Sequence, residues 1–73
     1  MYFLITDNLR TMRKKINYTQ KDMADYLKIS QPTYQRKETG DSQFLLEEIV
    51  AMIILFDCTF SEIFGELIYY YEN

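Results

Sequence analysis

The 73-residue chain has no histidine, no tryptophan, one cysteine (Cys58), one proline (Pro32) and two glycines. Each shortage excludes something. Without histidine and with a single thiol there is no ligand set for zinc, haem or an iron–sulfur cluster, and no internal disulfide. Cys58 reads as a small buried core residue rather than a reactive thiol. General acid–base chemistry lacks its commonest side chain, and no glycine-rich phosphate loop or carboxylate pair with a reason to share a cleft is present. The expectation is therefore a protein that is not an enzyme and holds no metal or cofactor. There is no Asn-Gly or Asp-Gly dipeptide to close a hairpin, so the chain reads as nearly all helix. No long apolar run occurs either: the longest, residues 49–56, falls far short of the ~20 residues that cross a bilayer. The apolar opening Met1–Ile5 is short and has no basic flank, unlike a signal peptide. These features lead us to expect a soluble cytoplasmic protein that does not meet a membrane.

The second half also lacks positive charge. All eight basic residues (Arg10, Arg13, Lys14, Lys15, Lys21, Lys28, Arg36 and Lys37) lie before residue 38. With three acids beside them, residues 1–37 carry +5, whereas residues 38–73 hold eight acids and no base and carry −8. The net charge of −3 thus hides a polar molecule with one cationic end, suited to phosphate, and an anionic end facing away.

Hydrophobic residues make up 48% of the chain, enough for one packed core and not for two. We read a single domain: an apolar arm over residues 1–5, a helical core over residues 6–65 and a tyrosine-rich tail over residues 66–73. Thr6 or Asp7 can cap a first helix in which Leu9, Met12 and Ile16 share a face. Asn17-Tyr18 ends it, with Asn17 a plausible left-handed residue and Tyr18 turned into the core. Thr19 can cap a second helix with Met23, Ala24 and Leu27 on one narrow stripe. Lys28-Ile29 breaks that pattern, Ser30 caps a third helix, Pro32 sits in its first turn, and Gly40 ends it. Two helices joined this way form a helix-turn-helix, whose second helix can enter a major groove. Asp41-Ser42-Gln43 is a polar loop. Phe44 opens a fourth helix with Glu47 and Glu48 in its first turn and Ile49, Met52, Ile53 and Phe56 inward. Thr59 and Glu62 match a capping box for a fifth helix running to about Leu67. The tail extends it or folds back.

The run LRTMRKKINYTQKDMADYLKISQPTYQRKETG followed by FLLEEIVAMIILFDCTFSEIF resembles the Xre-like helix-turn-helix family of lambdoid phage repressors and Cro. The similarity covers about residues 6–65. It implies an all-α, five-helix, lambda-repressor-like domain that binds double-stranded DNA. It further implies that Arg13 pairs with Glu38, tying the first helix to the end of the third, and that Ala24 sits where the motif's two helices cross. Gln20 resembles a glutamine that bonds a DNA phosphate. The family's outward positions fall on Ser30, Gln31, Pro32, Thr33 and Arg36. Of these, Gln31 suits an adenine edge, Arg36 a guanine edge, and Pro32 at most a thymine methyl. Phosphate contacts are expected from Gln20, Lys28, Ser30, Thr33, Lys37, Ser42 and Gln43. Tyr34 is expected in the core with its hydroxyl at the edge. The chain departs from the family at Lys28, where glycine is usual, and at Leu45-Leu46, where a polar cap is usual.

The fourth helix is apolar almost all round, more than one small core can bury. Val50, Ile54, Leu55, Phe60, Tyr69 and Tyr70 are read as a homodimer interface, in preference to an arm and tail that wrap back and cover this face. A palindromic site needs two heads about one DNA turn, roughly 34 Å, apart. The reading is a regulator that represses by occluding a promoter. The alternative is a protein-interaction module, antitoxin-like or antirepressor-like, whose acidic half docks a partner protein.

Overall fold

The structure, a computed structural model, describes residues 2–3, 6–65 and 68–69. Five helices follow one another: α1 (Asp7–Lys15), α2 (Gln20–Leu27), α3 (Gln31–Thr39), α4 (Leu46–Phe56) and α5 (Phe60–Phe64). A two-residue strand β1 (Tyr2–Phe3) precedes them and β2 (Ile68–Tyr69) follows them. The strands pair antiparallel, Tyr2 opposite Tyr69 and Phe3 opposite Ile68. The chain is all-α, as expected, and the two short strands add to the five helices without changing that class. The tail does not extend α5, because the helix stops at Phe64. Gly65 follows it at φ 69° and ψ −151°, a conformation open to glycine and to few other residues. No helix among the described residues is long and apolar enough to cross a membrane.

Four helix ends are built in one way. After α1, α2, α3 and α4 the chain takes a left-handed residue, respectively Asn17, Lys28, Gly40 and Asp57. In each case the left-handed residue and its successor donate backbone N–H bonds back into the last turn: Asn17 to Lys14 and Tyr18 to Arg13, Lys28 to Asp25 and Ile29 to Ala24, Gly40 to Lys37 and Asp41 to Arg36, Asp57 to Ile54 and Cys58 to Ile53. This double return satisfies carbonyls that a helix end otherwise leaves free. Only one of the four positions is glycine. Asn17 and Asp57 tolerate the left-handed region comparatively well, and Lys28 is the least suited.

The starts differ more. Thr19 Oγ1 accepts from Asp22 N–H while Asp22 accepts from Thr19 N–H, a reciprocal capping box that holds the Asp22 carboxyl below its ordinary range. Ser30 accepts from Thr33 N–H and Thr59 from Glu62 N–H. Thr6 makes no side-chain cap. Leu45 has no acceptor to offer α4, and Glu48 three residues on supplies the missing bond by accepting Leu45 N–H at 2.8 Å. Phe44 precedes α4 rather than opening it. Its ring is buried and meets Tyr34 edge-on at 6.2 Å and Phe64 at 5.9 Å between centroids, a contact that fixes the chain before the helix begins.

Leu9, Met23, Ala24, Tyr34, Phe44, Met52, Ile63 and Phe64 form the core. Every helix contributes at least one of them, so each element is held by burial worth about 1.5–3 kcal/mol per large side chain. Tyr18, Leu27, Ile49, Ile53, Leu55, Phe56, Cys58 and Phe60 pack half-buried around that centre.

Candidate nucleic-acid interface

Helix α3 has two faces of opposite character. Tyr34, Lys37 and Glu38 are buried and Thr33 is half-buried, while Gln31, Pro32, Gln35, Arg36 and Thr39 are exposed. The buried side is unusually polar, and its polar groups are paired. Glu38 accepts from Arg13 Nε at 2.9 Å and Arg13 Nη2 at 3.1 Å, a two-pronged bond between planar groups. It also accepts from the Tyr34 hydroxyl at 2.6 Å and from Gln20 Nε2 at 3.4 Å, and Arg10 Nε lies 3.7 Å away. Arg13 Nη1 in turn donates to the carbonyl of Tyr18 at 2.7 Å. One carboxylate therefore joins α1, α2 and α3. Burial pushes the Glu38 carboxyl up, but bonds from Arg13 and Tyr34 outweigh it and leave the group below its ordinary value. The same bond raises Arg13. Burial first, then the adjoining carboxylate, raises Tyr34.

A second buried pair lies one residue earlier. Lys37 Nζ donates to Glu48 Oε1, and both side chains are almost enclosed. Glu48 is the residue that caps α4, so the pair fixes the third helix to the start of the fourth. Nζ also stands 6.0 Å from the Phe44 ring centroid.

Two positions differ from what the sequence suggests. Lys37, expected at a phosphate, is buried, and its charge is drawn inward to Glu48. Tyr34 is buried in the core, and its hydroxyl turns in to Glu38 rather than to the edge. Gln20 is half-buried at the first position of α2 with its amide directed at Glu38. Ser30 is exposed, but its hydroxyl donates to Thr33 Oγ1 at 2.7 Å, so the two form one local pair at the start of α3. Lys28 is exposed at the turn, Ser42 is half-buried and Gln43 exposed. Their loop is anchored by Asp41 and Ser42 N–H groups donating to the Arg36 carbonyl at 2.8 and 3.1 Å. Gln31, Pro32 and Arg36 all stand on the exposed face, and Gln35 stands with them. Gln35 lies one turn after Gln31, a spacing visible in the sequence that family positions alone pass over.

On α4, Leu46, Val50 and Ile54 recur every fourth residue and are 77%, 47% and 69% exposed, with Leu45 beside them. Leu55 and Phe60 differ from this expected interface. Both are half-buried against the core, Phe60 at 5.1 Å from the Phe64 ring, so much of their apolar surface is used within the chain. Tyr70 lies outside the described residues, and Tyr69 is described as strand backbone.

Among solved structures, the chain is similar to a transcriptional regulator from Listeria innocua, with a TM-score of 0.77 at 16% identity. The alignment covers 93% of this chain and 64% of that one, so the likeness is one of fold to part of a longer protein. No curated protein matches the sequence. A family model described as helix-turn-helix matches residues 9–63, from the buried Leu9 of α1 to the buried Ile63 of α5. With that span and this geometry, the chain belongs to the Xre-like helix-turn-helix family.

Proposed function

We propose that this chain is a sequence-specific regulator of transcription that binds double-stranded DNA through α3, acting in the cytoplasm as a repressor that occludes promoters as a homodimer. The observation that carries the reading is the division of α3. Its inner face is held by two buried ion pairs to neighbouring helices, and its outer face leaves Gln31 and Arg36 free of side-chain bonds within the described residues. A rigid backbone with uncommitted amide and guanidinium groups is what reading base edges in a major groove requires. Gln20, at the start of α2, and Lys28, Ser30, Thr33, Ser42 and Gln43 are assigned to the DNA backbone, where such contacts set register rather than sequence. The exposed stripe Leu46, Val50 and Ile54 supports pairing of two copies through α4. That stripe, on an acidic half, also favours a second reading: a module of this fold that docks a partner protein.

Binding to duplex DNA as a function of salt separates the two. The regulator reading expects specific binding whose affinity falls steeply from low to moderate salt, each neutralised phosphate adding about 0.9 to the logarithmic slope. Tight binding to a partner protein with no duplex binding at any salt would sink it.

A further inference from the structure

Five side chains form the exposed face of α3, and two of them have no free side-chain donor for a base. Pro32 has no donor, and the Thr39 hydroxyl is directed to the Arg36 carbonyl at 3.1 Å and to Asp41 at 3.1 Å. The remaining three are Gln31, Arg36 and Gln35. At about 100° per residue, the arc opposite Thr33, Tyr34, Lys37 and Glu38 is centred near Pro32 and Thr39. Gln35 and Arg36 flank that midline about equally, and both lie nearer to it than Gln31 does. Any duplex that meets Arg36 along this face is therefore presented with Gln35 as well. Gln35 makes no side-chain bond within the described residues, so its amide is free to donate and accept at once.

We infer that Gln35 is a third base-reading side chain of α3, suited to the N6/N7 edge of adenine, an inference that rests on the DNA-binding reading above. A primary amide matches that donor–acceptor pair in bidentate fashion. Gln31 and Gln35 stand one turn apart, a rise of about 6 Å. That is close to two base-pair steps of roughly 3.4 Å, so the two amides read different base pairs.

The test is selection of bound duplexes from a random pool with the wild-type chain, Gln35→Ala and Gln35→Arg, after circular dichroism and a thermal melt have verified the fold of each. Gln35→Ala is expected to lose a preference for adenine at one position of the selected site, by about tenfold. Gln35→Arg is expected to replace that adenine with guanine. A wild-type chain that selects a site which neither variant alters overturns the role of Gln35 and leaves the DNA-binding reading standing. So does an affinity loss in Gln35→Ala that is uniform over all sequences, because it marks a phosphate contact. A wild-type chain that binds no duplex overturns the underlying reading, and the inference with it.

Discussion

Lys28 occupies φ 60° and ψ 41° at the end of α2, and its side chain extends into solvent. A side chain in the left-handed region costs about 1–2 kcal/mol, and the greater freedom of unfolded glycine offsets about 0.4–1 of this. Lys28→Gly should therefore stabilise the fold by about 0.5–1 kcal/mol, seen as a thermal midpoint raised by roughly 2–8 °C for a domain of this size. A midpoint that stays the same or falls would show that Lys28 makes a compensating contact. The same substitution removes one exposed cation from the turn. If Lys28 meets phosphate, the salt slope of duplex binding should flatten by about one unit at the same time. A gain in stability with weaker, less salt-dependent binding would explain a lysine where glycine fits the backbone better.

Glu38 and Glu48 work at the scale of the element, because each carboxylate joins helices rather than neighbouring residues. In the folded chain Glu38 holds its proton less readily than its ordinary value of 4.5 implies. A depressed folded value means that its contribution is complete above the unfolded value and is lost as pH falls through the folded one. Wild-type stability should therefore drop as pH falls below about 4.5, in step with protonation of this buried acceptor. Glu38→Gln should lower stability at neutral pH by about 3 kcal/mol or more, since Arg13 would remain buried without its counter-charge. It should also fall less steeply in acid than the wild type. Thermal melts of both proteins between pH 3 and 7, spanning roughly both sides of the carboxylate range, check this. Parallel curves would mean that other carboxylates control the acid limb.

At the scale of the whole molecule, the asymmetry of charge is reduced by folding. Arg13 and Lys37 turn inward to Glu38 and Glu48, and Lys21 pairs with Asp25 at 3.1 Å on the surface. The exposed cations left unpaired among the described residues are thus fewer than the count in the first half: Lys14, Lys15, Lys28 and Arg36, with Arg10 near Glu38. Helix α4 carries the exposed apolar stripe. Ile54 is 69% exposed, so Ile54→Glu should change the stability of the monomer by no more than about 0.5 kcal/mol. If two copies pair through this stripe, the wild type sediments as a dimer and Ile54→Glu as a monomer. A wild-type chain that is already monomeric would contradict pairing. The β1–β2 pairing joins residues 2–3 to residues 68–69.

The order of the helices was legible in the sequence because local rules govern it. Thr19, Ser30 and Thr59 have cap chemistry, Asn17 and Gly40 suit left-handed ends, and Leu9, Met23, Ala24 and Met52 recur at helical spacing. Local rules failed at Phe44, which tertiary stacking against Tyr34 and Phe64 draws out of the helix it was expected to open, and at Leu45, whose missing cap Glu48 supplies. They failed again at Lys37, which by sequence looks like any cation beside Arg36. Only the arrival of Glu48 from α4 turns it inward. Gln35 was visible as the residue one turn after Gln31, but its place near the middle of the exposed face depends on which sides of α3 the other helices cover. The sequence by itself determined the helices, their ends and the side carrying positive charge, since capping, periodicity and net charge act over a few residues. The tertiary structure alone decided which polar groups are used up in holding α3 and which remain free. Pairing across distant elements depends on where the chain returns, and no local pattern encodes that.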